Sequence, residues 1–153
     1  MNHVRVLIGA PGAGKTHFCT QHAGRLGVLL SLDRARAIVG RGEHDQAATP
    51  AAVDLVRRQA ADALAAGDTI TVDATGAAIL DRASWLALAR DHAVPATALV
   101  LRVTLATVLA RNADRARQVP ADVVTAMWTA IDRTTAAELL AEGFRSVIEL
   151  REH

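Results

Sequence analysis

Eight residues, GAPGAGKT at positions 9–16, constrain this chain more than any other stretch. They have the form G-x-x-x-x-G-K-[ST], follow the run VRVLI at 4–8 and precede a segment that can be helical. A strand, a glycine loop and a helix in that order point successive backbone N–H groups at one place, a cradle for the phosphates of a nucleotide. Gly9, Gly12 and Gly14 supply the positions where φ must be positive or a Cβ would clash. Ala10, Pro11 and Ala13 complete the loop, Lys15 is placed to reach the β/γ-phosphates, and the Thr16 hydroxyl to hold Mg²⁺. His17 follows beside the phosphates, although a histidine on a helix surface needs no ligand. The competing reading is a glycine-rich turn that binds nothing; all four defining positions and both flanks favour the cradle.

Length and composition leave room for one domain around this loop. At 153 residues, 51% of them hydrophobic, the chain can bury its own core, so residues 1–153 are expected to form a single unit. No run approaches the roughly 18 apolar residues of a membrane helix, and the start MNHVRV leads directly into the loop, so neither a span nor a signal peptide is expected. The lone Cys19 cannot form an internal disulfide and falls where core packing is expected, which suits a reducing cytoplasm. A formal charge of +1 excludes a generally basic surface, so any polyanion must be met by a local patch. The six histidines show no zinc-site spacing, and no structural metal is expected.

Along the chain, strand-like runs alternate with helical periods. Residues 4–8 read as a strand covered on both faces. A helix over 15–25 ends near Gly24 or Gly27, and a second strand covers 28–32. A short helix opens at Asp33 and stops at Gly40 and Gly42. Residues 42–49 are a polar loop, after which Thr49 reads as an N-cap and Pro50 as the first helical position. Val53, Val56, Ala60 and Leu64 form the apolar stripe of that helix. A third strand over 69–72 leads to a helix over 81–90 with Trp85 in the core, and a fourth strand covers 98–101. Pro120 restarts a helix whose core face is Val123, Val124, Met127, Trp128 and Ile131; a further helix reaches Gly143, and the last strand covers 146–150. Five strands alternating with helices predict an α/β, three-layer P-loop NTPase or kinase fold with a mostly parallel sheet.

The chemistry-bearing residues fall at strand ends, where open α/β sheets collect their ligands. DRAR at 33–36 delivers Asp33 and Arg36 to the same rim as the glycine loop, three residues apart on one helical face. Asp73 stands at the end of the third strand. In phosphoryl transfer such carboxylates reach the metal or its waters, orient another side chain, or take the proton of the nucleophile. RNADRARQVP at 111–120 sets Arg111, Arg115 and Arg117 against the single acid Asp114. A charge run is commonly a solvated face. Here Arg111 and Arg115 are one i,i+4 step apart, which predicts two guanidiniums on one helical face and a lid over about 111–119 that closes on a transferring phosphate.

With these motifs in register the chain resembles the P-loop 5′-hydroxyl polynucleotide kinases, the kinase module of phage and bacterial nucleic-acid end-repair proteins. The resemblance spans about residues 4–128 and rests on GAPGAGKT, the D-x-x-R of 33–36, the DATG of 73–76, and R-N-x-x-R followed by V-P at 111–120. It implies ATP or another NTP with Mg²⁺ as cofactors and a 5′-OH end of DNA or RNA as the substrate partner. It implies Asp33 as general base, Arg36 as the holder of the acceptor phosphate, Asp73 as the acid that orients Arg36, and Arg111 and Arg115, with Lys15, as the cations on the donor phosphates. Gly76 stands where the family commonly carries asparagine, so an acceptor contact from that side chain is absent or supplied elsewhere. The length leaves no room for a phosphatase or ligase domain, so 3′-phosphatase activity is expected to be missing.

Residue chemistry alone leaves the acceptor open. A kinase of a small-molecule or nucleoside hydroxyl uses the same scaffold, and a nucleotide-binding regulatory module would keep the loop without transfer. The regulatory reading predicts no ADP release with any acceptor. Arg36 favours an acceptor that carries a phosphate, since an arginine fork is matched to that group. No membrane partner is expected, and the alanine-rich helices leave a homo-oligomer open.

Overall fold

A computed structural model describes residues 2–42, 46–73, 75–116 and 118–152. His44 and His153, the middle of the 42–49 loop, Ala74 of DATG and Arg117 lie outside the described residues. Five strands, β1 (Val4–Ile8), β2 (Val28–Ser31), β3 (Ile70–Asp73), β4 (Ala96–Arg102) and β5 (Ser146–Arg151), form one parallel sheet in the order β2-β3-β1-β4-β5. The helices are α1 (Lys15–Gln21), α2 (Leu32–Val39), α3 (Thr49–Ala65), α4 (Ile79–Asp91), α5 (Leu105–Ala113), α6 (Ala121–Arg133) and α7 (Ala136–Glu142). This is the three-layer α/β P-loop architecture expected from the alternation of elements.

The central strand shows why the sheet is covered on both sides. Along β1, Val4, Val6 and Ile8 join Val56, Ala60, Trp85 and Leu139 in one core, while Leu7 joins Cys19, Leu99, Val108 and Val124 in the other. Successive side chains of a strand point to opposite faces, so apolar residues at nearly every position demand helices above and below. Trp85 is buried as expected. Cys19 is buried too, and burial pushes its thiol up to about 11, which suits packing rather than nucleophilic chemistry.

Several boundaries differ from the sequence expectation, each for a local reason. α1 ends at Gln21, and a 3₁₀ turn over Ala23–Arg25 carries the chain to Gly27. There φ is +66°, and a Cβ would lie 2.1 Å from the Thr69 carbonyl oxygen, so only glycine lets the chain pass the start of β3. β2 stops at Ser31 because its hydroxyl accepts the Arg34 N–H at 3.3 Å and caps α2. Thr49 is the first residue of α3 and not its cap; a 3₁₀ turn over Gln46–Ala48 already has helical dihedrals at Ala48 and runs into the helix. Val123, expected in the core, is exposed, since Val124 takes the inward position on α6.

The register sets the geometry of the rim. Asp73 pairs across with Leu7 on β1 and Ser31 on β2, and Arg102 pairs with Arg151. The carboxyl ends of all five strands, with the segments that leave them, therefore share one edge of the sheet. Among the described residues no helix is long and apolar enough to cross a membrane.

Candidate active site

The loop between β1 and α1 is held by its own backbone. Ala13 N–H donates to Ala10 O at 2.9 Å, Phe18 N–H to Gly14 O at 2.9 Å, and Gly9 N–H reaches Thr75 O at 3.1 Å on the segment after β3. Gly12 and Gly14 have φ of +90° and +97°, and Gly14 caps α1 in the left-handed region. At Gly12 a Cβ would lie 2.5 Å from Val108 O, so α5 rests against the loop backbone itself. Gly12→Ala is expected to lower the melting temperature, because the left-handed conformation alone costs on the order of 1–3 kcal/mol and α5 must also retreat. An unchanged melting temperature would show that α5 moves away freely.

Lys15 lies over the loop, donating to Gly9 O at 2.7 Å. Burial lowers its pKa, and the charges of Asp73 and Asp33 resist that shift. Asp73 shows the mirror image: burial raises its carboxyl, with Lys15 opposing and Asp33 reinforcing. Lys15 and Asp73 are thus each costly to bury and each tempered by the other's charge.

Asp33 and Arg36 form an ion pair along α2, as their spacing predicts, with Arg36 mostly covered and Asp33 nearly half exposed. Arg111 and Arg115 are arranged otherwise than expected. α5 ends at Ala113, and Asn112 turns its buried amide onto Val119, donating to Val119 O at 2.7 Å and accepting from Val119 N–H at 3.0 Å. The chain after Asn112 is thereby folded back, so Arg115 leaves the helical path and does not share a helical face with Arg111. Arg111 stays on the last turn of α5, paired with Glu152, and its Nη1 lies 3.5 Å from Gly12 O.

These groups nevertheless meet in one cavity of about 1350 Å³. Pro11, Gly12, Ala13, Gly14, Lys15, Thr16 and His17 line it, together with Asp33, Arg36, Asp73, Arg111 and Arg115. Gly9 and Ala10 support it from below; Ala10 is buried in the core. Val103, Val119, Pro120, Val123, Met127 and Leu150 add an apolar wall. Val123 and Met127, read from the sequence as core, are cavity residues.

Four further residues belong to the site's framework: Arg82 and Glu152 lie outside the sequence motifs, and Asn112 and Gly76 lie within motifs whose spacing does not reveal that role. Arg82 on α4 is buried, grips Glu142 of α7 through Nε at 2.8 Å and Nη2 at 2.9 Å, and donates from Nη1 to Gly76 O at 2.9 Å and Ala77 O at 3.1 Å. Asn112 ties the end of α5 to Val119. Glu152 holds Arg111. Gly76 has φ of +65°, and a Cβ there would lie 2.9 Å from Ile8 Cγ1, so this position faces the core and not the cavity.

The family comparison agrees with the fold. A model of the AAA_33 family of AAA domains covers residues 4–137. The chain belongs to this family. The AAA domain is P-loop and kinase-like, a fold that implies nucleotide binding. Solved structures agree on the fold. A chain of the Pnkp1/Rnl/Hen1 RNA repair complex superposes with a TM-score of 0.75 at 15% identity over 86% of this chain and 44% of that chain. A candidate kinase of Chloroflexus aurantiacus gives 0.64 at 16% identity over 98% and 85%, and a chain of the PezAT toxin-antitoxin system of Streptococcus pneumoniae 0.66 at 14% over 99% and 67%. The chain thus spans less than half of the repair-complex chain it matches. A comparison with curated proteins gives no match.

Proposed function

We propose that this AAA domain is a phosphotransferase that moves the γ-phosphate of ATP, or another NTP, to the 5′-OH end of DNA or RNA. The observation that carries the reading is the Asp33–Arg36 pair, set into the cavity that the P-loop also lines. A carboxylate that can take a proton, joined to a guanidinium that can hold a phosphate, suits an acceptor with a hydroxyl close to a phosphate. An uncharged hydroxyl compound would leave Arg36 without a task in binding.

The positions of these residues support a division of roles. The loop amides, Lys15, Arg111 and Arg115 receive the donor phosphates. Arg36 holds the acceptor phosphate while Asp33 accepts the proton of the attacking hydroxyl. The 5′-oxygen bonds to the γ-phosphorus as the bond to the β,γ-bridging oxygen breaks, and ADP leaves. Asp73 keeps the cationic groups of the rim oriented. The exposed Thr16 hydroxyl and the Asp73 carboxylate are oxygen donors of the kind Mg²⁺ takes, and both line the cavity. That ion would screen the phosphate charge. The apolar wall is suited to the face of a nucleobase, and His17, exposed beside the loop, lies at the edge of the donor site.

The decisive experiment is transfer of label from γ-labelled ATP, with Mg²⁺, to a short 5′-OH DNA and to the matching RNA. Label on either end is expected, and the ratio of the two names the preferred acceptor. Arg36→Ala is expected to raise the polynucleotide KM strongly and leave ATP affinity nearly intact; equal loss of ATP binding would remove Arg36 from the acceptor side. A wild-type protein that binds ATP but labels neither end would move the reading to a small-molecule acceptor.

A further inference from the structure

Glu152 stands just beyond β5, outside the motifs that mark the rest of the site. Its backbone N–H donates to Arg102 O at 3.1 Å, which continues the β4–β5 ladder by one step and fixes the carboxylate at the cavity rim. From there it takes Arg111 end-on: Nη1 donates to Oε2 at 3.2 Å and Nη2 to Oε1. Arg111 itself is placed from the other side, because α5 packs so closely on the P-loop that Gly12 cannot carry a Cβ, and Arg111 Nη1 lies 3.6 Å from where a Cβ of Gly14 would be. The guanidinium is held between the end of the sheet and the phosphate loop.

The donor count decides what this does. A guanidinium has five N–H groups in a rigid planar fork. Two go to Glu152, and a third, on Nη1, is directed toward Gly12 O. Nε–H and the second N–H of Nη2 remain, and they lie side by side on one edge of the plane, the pair that grips a phosphate bidentately. A latch that blocked the arginine would occupy that edge. Among the described residues that edge meets no partner, and both members of the pair are partly exposed, a setting in which ion pairs are too weak to hold a lid shut.

We infer that Glu152 is a positioning residue, a clasp that fixes the Arg111 guanidinium above Gly12 and Gly14 so that its remaining fork meets the donor phosphates. This rests on the reading of Arg111 as a donor-site cation. It is independent of what the acceptor is.

Charge alone predicts the opposite sign. A carboxylate at the rim repels the phosphates, so deleting it would tighten ATP binding, whereas loss of a clasp weakens it. The test is ATP affinity with Mg²⁺, measured by calorimetry, for wild type, E152A, E152D, R111A and the R111A/E152A double variant. The clasp predicts that E152A weakens binding about 3- to 5-fold, the range of an exposed ion pair, that E152D recovers most of the loss, and that E152A adds nothing once Arg111 is gone. Binding as tight as wild type or tighter in E152A would overturn it, as would an equal loss from E152A in the R111A background. Because the readout is nucleotide binding, the clasp stands or falls whether or not a 5′-OH end proves to be the acceptor.

Discussion

Replacing Asp33 by alanine is expected to cut phosphoryl transfer about 100-fold or more and to leave ATP binding nearly unchanged, the scale of loss seen when a positioned general base is removed. The ion pair with Arg36 complicates the alanine variant, since it strips the guanidinium of its partner as well as the site of its base. Asp33→Asn separates the two roles. Asparagine keeps an oxygen that accepts from Arg36 but takes no proton from a hydroxyl. If Asp33 acts as base, the asparagine variant loses transfer as heavily as the alanine variant, with the polynucleotide KM changed less. If Asp33 only steadies Arg36, asparagine retains most of the activity. Steady-state kinetics of both variants with labelled ATP and a 5′-OH oligonucleotide decide between these, and unimpaired transfer in both would remove Asp33 from the mechanism.

Much of this site is legible without coordinates because its parts are local. Gly12, Gly14 and Lys15 belong to one loop between one strand and one helix, and Asp33 and Arg36 to one turn of α2, so spacing along the chain already specifies spacing in the fold. The parallel sheet is legible for a similar reason: β1 and β4 have apolar side chains for both faces, and that pattern has few solutions. Arg111 and Arg115 show where spacing fails. An i,i+4 step is helical only if the helix continues, and what ends it is the Asn112 side chain reaching Val119, a tertiary bond that the sequence pattern does not announce.

The partners of Arg82 and Arg111 are hidden for a second reason. Glu142 and Glu152 lie 60 and 41 residues from the arginines they hold and beyond the stretch matched by the family model. An arginine at a helix position that faces inward is a signal in itself, since a charge is rarely buried without a partner. Arg82 stands next to the inward face of Trp85 and Leu86, and that placement is the available clue. Which acid answers it is decided only by the packing of α7 beside α4.

Arg82→Ala is accordingly the substitution expected to damage stability most. Breaking a buried pair strands Glu142 and frees two carbonyl oxygens, a loss of about 3–5 kcal/mol. It also cuts a line of contacts that ends at the phosphate loop: Glu142 holds Arg82, Arg82 holds Gly76 O and Ala77 O, and the adjoining Thr75 O receives the Gly9 N–H at 3.1 Å. Two variants separate the consequences. R82A alone is expected to lower the denaturation midpoint sharply. The double variant R82L/E142L replaces both charges by apolar side chains and is expected to regain most of the stability, as buried pairs exchanged for hydrophobic contacts do. It cannot donate to Gly76 and Ala77, so the segment after β3 loses its tether even in a folded protein. The ATP affinity of the double variant is then the informative quantity. If it stays well below wild type while the melting temperature recovers, Arg82 orders the phosphate loop through Thr75 and Gly9; if both recover together, the buried arginine serves the fold alone.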